Sequence, residues 1–212
     1  MRIAVIGAGN VGRALGKAWQ KAGHEVRYGL RNPADPKYAD LAPARLVSPA
    51  EAARDTEVVA LATPWPETEN AVKSLGNLVG KIVVDCTNPI GMGVDGMGLV
   101  LGHRMSGGEF VQQWARPGIV IKAFNTTGAA NMADTSGYAV APAMFVAGDD
   151  GGKKAVVMDL ARDIGFDPVD AGPLRNARLL EPLAMLWLDR AMQRGAGANF
   201  AFAVVRKSRQ SP

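Results

Sequence analysis

The stretch Ile3-Ala4-Val5-Ile6-Gly7-Ala8-Gly9-Asn10-Val11-Gly12 decides the fold. Its first four residues are β-branched or small, as a buried parallel strand requires. Downstream, Val11, Ala14, Leu15, Ala18, Trp19 and Ala22 recur at helical spacing, so an amphipathic helix opens at the glycines. Strand, glycine turn and helix in that order suit a dinucleotide pyrophosphate. Gly7 allows the tight turn, Gly9 lets the backbone approach the phosphates, and Gly12 lets the helix pack against the strand. The free amides at the start of the helix and the positive end of its dipole then face the anion. A glycine turn that merely precedes a helix is the blander reading, and the flanking elements argue against it.

The next segment bears on which dinucleotide. Glu25-Val26-Arg27-Tyr28-Gly29 reads as the second strand. A site for NAD places a carboxylate at the end of this strand, on the ribose hydroxyls. Here Gly29-Leu30-Arg31-Asn32-Pro33 follows, with no carboxylate before Asp35. A guanidinium at Arg31 pairs bidentately with a 2′-phosphate, so NADP(H) is the expected cofactor. Asn32 either adds a hydrogen bond to that phosphate or starts the Asn-Pro turn.

Alternation of strands and helices continues. Strands are expected at Arg45–Val47, Glu57–Ala62, Ile82–Asp85, Gly118–Phe124, Ala143–Ala147 and Phe166–Val169, with a helix over 152–163. Ser48-Pro49-Ala50-Glu51 and Ser106-Gly107-Gly108-Glu109 read as capping boxes that open helices. The pattern predicts an α/β chain with a Rossmann-type, doubly wound, mostly parallel sheet and a short C-terminal helical extension. The expected division is a nucleotide-binding domain over 1–171, the extension over 172–206 packed on it, and a disordered tail over 207–212. Ligands bind at the carboxyl ends of such strands. The candidate walls are therefore Thr63-Pro64-Trp65-Pro66, Cys86-Thr87-Asn88-Pro89 and Asn125-Thr126-Thr127-Gly128.

Two segments break the rhythm. Residues 91–108 hold seven glycines, with Met92, Met97 and Met105 among them. The backbone entropy cost argues against a packed element there, so a mobile loop at the mouth of the site is expected. His103 in that loop is expected to be solvated, with a substrate contact as the alternative. The run from Pro173 to Met192 is apolar on nearly every helical face. It is expected to be buried, in the core, against a second subunit or on a flat ligand, with Pro182 kinking it or marking its first turn.

Composition narrows the function classes. The 24 basic and 20 acidic residues give a net charge of +4 without a basic face or aromatic platforms, so no nucleic-acid partner is expected. No apolar run approaches the roughly 20 residues of a membrane helix, and a strand from Arg2 leaves no room for a signal peptide. A soluble cytoplasmic protein is expected. The single cysteine, Cys86, offers no disulfide or metal cluster and reads as a packed thiol. Lys122 invites a role as catalytic base, but its place within a strand suits a satisfied structural lysine equally.

Together these motifs resemble the NADP oxidoreductases dependent on the deazaflavin coenzyme F420, over nearly the whole chain. They are the glycine turn with Asn10, Gly-Leu-Arg-Asn-Pro at 29–33, Ala-Thr-Pro-Trp at 62–65, Thr-Asn-Pro at 87–89, Lys-Ala-Phe-Asn-Thr at 122–126 and Asp-Ala-Gly-Pro-Leu at 170–174. They are similar also to the cytoplasmic reductase domain of six-transmembrane metalloreductases. The glycine-methionine segment departs from the family pattern. The resemblance implies hydride transfer between NADP(H) and coenzyme F420, or FMN or FAD in its place; a homodimer is expected from the apolar run at 173–192. Such a transfer needs no catalytic acid, base or nucleophile from the protein and no metal. It further implies that Gly7, Gly9, Asn10 and Val11 cradle the pyrophosphate while Arg31 and Asn32 hold the 2′-phosphate. Thr63 and Pro64 would line the nicotinamide ribose, with Asn88 and Asn125 placed to fix a carboxamide or to cap their own turns. Two other readings remain: a dehydrogenase of a small hydroxy acid or amine, and a non-catalytic NADPH sensor. Few residues follow the last expected strand, too few for the large helical second domain of the β-hydroxyacid dehydrogenases.

Overall fold

A computed structural model describes residues 1–207 of the chain. Six strands form one wholly parallel sheet: β1 (Arg2–Ile6), β2 (Glu25–Gly29), β3 (Arg45–Val47), β4 (Val58–Leu61), β5 (Ile82–Asp85) and, after two intervening strands, β8 (Ile119–Lys122). Their spatial order is β3-β2-β1-β4-β5-β8, so the direction of winding reverses between β1 and β4. Such a reversal leaves a crevice at the carboxyl ends of the strands.

Side-chain alternation along the strands feeds two cores. Ile3, Val5, Val58 and Ala60 pack beneath α1 (Asn10–Lys21) and α6 (Gly151–Asp163), through Leu15, Trp19, Val157 and Leu160. Ala4, Ile6, Val59 and Leu61 pack on the other face under α2 (Pro49–Arg54), α3 (Trp65–Lys73) and α4 (Gly107–Ala115). Both faces are covered, as an all-parallel sheet requires. The expected doubly wound α/β architecture is the observed one. β9 (Ala143–Val146) and β10 (Asp167–Asp170) pair in parallel with each other and meet the main sheet through an antiparallel bridge between Ala147 and Lys122. A short helix, α5 (Ala129–Ala133), lies against α1.

Three expectations need correction. Residues 90–99 are not an irregular loop but an antiparallel hairpin, β6 (Ile90–Gly93) and β7 (Gly96–Leu99). Its register sets Gly91 opposite Gly98 and Gly93 opposite Gly96, with Ile90 facing Leu99 and Met92 facing Met97. Glycines thus occupy one face and apolar side chains the other. That two-residue period is a strand signal, which the entropy cost of glycine had obscured. Ser48 is half a capping box: its hydroxyl accepts from the Glu51 amide, without the reciprocal bond that Ser106 and Glu109 do form. Helix α7 (Ala177–Leu188) begins after a single 3-10 turn, Leu174–Asn176, holds Pro182 internally, and continues into a π turn at Asp189–Gln193. It is not buried all round. Ala177, Leu180, Glu181, Ala184 and Trp187 face inward, while Leu179 and Leu186 are 67% and 52% exposed. From Ser208 onward the expected disordered tail lies outside the described residues.

Candidate active site

Two cavities meet at the carboxyl ends of the strands. The first, of about 730 Å³, lies beside β1 and β2 and is walled by Gly7, Arg13, Arg31, Tyr38 and Glu67, among others. The second, of about 660 Å³, spans the ends of β4, β5 and β8, with Asn10, Val11, Trp65, Asn88, Phe124, Asn125 and Trp187 in its walls. Gly9, Ala62, Thr63 and Pro64 line both, so the cavities form one cleft across the winding reversal.

The glycine turn has the shape its spacing predicts. Gly7 takes φ +95°, and a Cβ there would stand 2.7 Å from the Ala62 carbonyl oxygen. At Gly12 a Cβ would stand 2.1 Å from the Gly7 oxygen. Gly9 differs: its φ of −75° suits any residue, and a Cβ would meet nothing within 4 Å. What a side chain there would fill is the cleft itself. No side chain caps the start of α1, and no carboxylate stands in its first turn. The backbone amides and dipole at that end are therefore directed at the cleft unneutralised. These features fit a dinucleotide pyrophosphate.

The first cavity is cationic, and each of its cations has a carboxylate partner. Arg31 at the end of β2 is 86% exposed, and its guanidinium lies 3.0 Å from the Glu67 carboxylate on α3. Arg13 donates to the Ala8 carbonyl at 2.9 Å, pairs with Asp40 and lies over the Tyr38 ring. Lys37 pairs with Asp35 at 2.8 Å and sits over the same ring. Hydrogen bonds from Arg13 and Lys17 hold the Asp40 carboxyl down at about 2. Asn32 is outside the wall; its carbonyl accepts the Asp35 amide at 3.2 Å, closing the Asn-Pro turn. Sequence reasoning missed Arg13, Lys37, Tyr38 and Glu67. Arg13 alone carried a signal, since it lies one helical turn beyond Gly9 on the same face.

In the second cavity the two expected asparagines hold each other. Asn88 donates through Nδ2 to the Asn125 carbonyl at 2.9 Å, and Asn125 Nδ2 donates to Asn88 Oδ1 at 3.0 Å and to the Leu180 carbonyl at 3.2 Å. Two acceptors around that nitrogen fix the orientation of the amide. Asn125 Oδ1 is left buried with no donor among the described residues. Phe124, immediately before it, takes φ +60°, which is rare for a bulky residue. Its amide donates to the Met144 sulfur at 3.1 Å. The Trp187 indole stacks on Phe200 with ring centres 5.2 Å apart and donates to the Phe200 carbonyl. Of the residues lining this cavity, none is acidic, basic or histidine. Cys86 lies in the wall, where burial, reinforced by the charge of Asp85, pushes its thiol up and keeps it neutral.

Lys122 lies behind the wall, fully buried. Its ammonium is 2.9 Å from both Asp85 and Glu181 and 2.6 Å from the Thr87 carbonyl. Burial alone would lower its pKa, but the two carboxylates more than offset that and the net direction is upward. Lys122 is a charged, satisfied structural lysine. Glu181 also accepts the amides of Gly107 and Gly108, so it caps α4 from across the structure. His103 is exposed and outside both cavities. Among the described residues no group of acidic, histidine or cysteine side chains could hold a metal.

Comparison with known proteins agrees with this geometry. The family model for NADP oxidoreductases dependent on coenzyme F420 matches residues 2–89. A solved structure from Arthrobacter sp. fb24, provisionally described as an F420-dependent NADP-reductase, is 33% identical and superposes with a TM-score of 0.88. That alignment covers 97% of this chain and 100% of the other. The chain belongs to the F420-dependent NADP oxidoreductase family. This oxidoreductase is also 31% identical over 194 residues to the metalloreductase STEAP3 of Rattus norvegicus. That match takes in 87% of this chain but spans only 37% of the rat protein. A Sinorhizobium meliloti protein, SMa0349, is 28% identical with a TM-score of 0.74, over 85% of this chain and 90% of its own. No helix of the oxidoreductase, among the described residues, is long and apolar enough to cross a membrane.

Proposed function

We propose that this NADP-dependent oxidoreductase transfers hydride between NADP(H) in the first cavity and a flat deazaflavin or flavin ring, coenzyme F420 or FMN or FAD, in the second. One observation carries the reading: the second cavity is lined by aromatic, aliphatic, amide and hydroxyl groups and one thiol, without an ionised side chain. A reaction that needs a protein acid or base would be poorly served there. When bound, the nicotinamide supplies the redox chemistry, and the protein supplies position.

In this reading Gly7, Gly9, Asn10 and Val11 back the pyrophosphate, and Arg31 takes the 2′-phosphate with Lys37 and Arg13 beside it. Thr63 and Pro64, common to both cavities, lie under the nicotinamide ribose. The reciprocal Asn88–Asn125 pair forms a planar rim beside the reacting rings. Trp65 and Trp187 close the cavity from α3 and α7 and exclude water. The 1–171 nucleotide-binding unit and the 172–206 extension form one working site, because the extension contributes Ala184, Trp187 and Leu188 to the second cavity. The exposed face of α7, with Leu179, Pro182 and Leu186, is where a second copy would dock to form the homodimer.

The test is loss of reduced-nicotinamide absorbance with the purified chain, offering the deazaflavin, FMN, FAD and a quinone in parallel. Rapid turnover with a flat tricyclic ring is expected. Arg31→Ala is expected to weaken NADPH binding by at least about ten-fold while leaving NADH nearly unchanged, as for loss of a charge-assisted pair. Tight NADPH binding without turnover of any of the four would refute the proposed acceptor class.

A further inference from the structure

Around the first cavity the cations do not stand free. Arg13 is committed to Asp40 and two carbonyl oxygens, and Lys37 to Asp35 on its own short turn. Arg31 alone pairs across the cavity, from the end of β2 to Glu67 in the first turn of α3. Both partners belong to the wall. A phosphate entering beside Arg31 must therefore take the guanidinium from a carboxylate already in place, and it meets that carboxylate's negative charge as it does so.

We infer that Glu67 is a specificity-determining residue, competing with the adenosine 2′-phosphate for Arg31 and so setting how strongly the chain prefers NADP(H) to NAD(H). The inference rests on the assignment of the first cavity to the adenosine end of the dinucleotide. NAD(H) carries no group that needs the guanidinium, so the Arg31–Glu67 pair persists when it binds. With NADP(H) the pair must open, and Glu67, about half exposed, returns to water. An exposed ion pair is weak, which makes the exchange reversible and the carboxylate a tuning element rather than a block. Glu67 also stands where a carboxylate favours the start of a helix. That role alone would leave nucleotide preference untouched.

The experiment is Glu67→Gln in the full chain, with NADPH and NADH dissociation constants read from tryptophan emission at low and high salt. NADPH is expected to bind about three- to ten-fold tighter, the sum of a freed guanidinium and a removed like charge, and NADH to stay within about two-fold. The gain should shrink at high salt, because the groups are exposed. In an Arg31→Ala background, Glu67→Gln should leave NADPH affinity within about two-fold, since the coupling runs through the guanidinium. Unchanged NADPH affinity, equal tightening of both nucleotides, or a gain that survives Arg31→Ala would each overturn the inference. Weakened NADH would overturn it too, assigning Glu67 to the ribose hydroxyls. Wild-type protein that shows no preference for NADPH over NADH would instead refute the cavity assignment, before any variant is made, and the inference with it.

Discussion

Replacement of Lys122 by methionine separates the two roles open to a buried lysine behind the second cavity. Methionine keeps much of the aliphatic length and removes the charge. Two carboxylates, Asp85 and Glu181, then lose their shared cation at sites that are 0% and 2% exposed. Each keeps some compensation: Asp85 Oδ1 accepts the amide and hydroxyl of Thr87, and Glu181 accepts two amides at the start of α4. Breaking a buried ion pair by removing one partner costs about 3–5 kcal/mol. For a chain of this size that is a fall in melting temperature of about 6–20 °C. Calorimetry or circular dichroism reads it directly. Adding Glu181→Gln to Lys122→Met should recover part of the loss, because one of the two stranded charges is gone. Turnover below the new melting point should fall by much less than the 10²–10⁴-fold expected of a lost general base. A variant that melts within about 1 kcal/mol of the parent yet loses turnover by that factor would refute the structural assignment.

The glycine turn offers a contrast between neighbours. Gly9→Ala has open space for its methyl and should melt like the parent while losing NADPH affinity, whereas Gly12→Ala meets the Gly7 oxygen and should lose stability; calorimetry with nucleotide titration distinguishes them. Acid stability should depend on the Glu109–Arg178 pair, at 2.5 Å. The hydrogen bond from Arg178 holds the Glu109 carboxyl below its ordinary 4.5, so this stabilisation is complete above that pH and lost as pH falls through the lowered value. Arg178→Ala should therefore melt up to about 3 °C lower at neutral pH and converge with the parent in acid, as melting curves across pH will read. Leu186→Glu should yield monomer in light scattering if α7 is the homodimer face; an unchanged mass would place the contact elsewhere.

Local constraints were legible in the sequence and distant partners were not. The turn through Gly7, Gly9 and Gly12 is legible from its spacing between a strand and a helix, although what crowds Gly7 is the distant Ala62 carbonyl, and the alternation of strands and helices exposes the parallel sheet directly. Arg31 was legible because its position after β2 is fixed by the fold. Its partner was not: Glu67 lies 36 residues on, and the reversal of winding, which sets β4 beside β1, brings the start of α3 within reach of the Arg31 side chain. Asn88 and Asn125 were read singly, as turn caps or ligand contacts, because nothing in either neighbourhood says that β5 and β8 are adjacent. In the hairpin the entropy cost of glycine masks the signal, and it is the alternation of glycine with apolar residues that carries the information.

The second cavity shows what those distant pairings achieve. Lys122, at the end of β8, is bound to β5 through Asp85 and to α7 through Glu181, which in turn caps α4. Two residues later Phe124 holds a left-handed backbone that few bulky residues tolerate, and the Met144 sulfur satisfies its amide. Asn125 follows, locked by Asn88 and by a carbonyl of α7. Strain of this kind persists only where the surroundings over-determine it. Here they do so from both sides, with a buried charge cluster upstream and an amide pair downstream. The ion triad therefore acts on the wall as well as on stability: it fastens α7, and with it Trp187, to the strand that carries Phe124 and Asn125. A cavity lined by uncharged groups can orient flat rings only if its walls do not move, and in this chain the buried charges stand one layer behind to hold them.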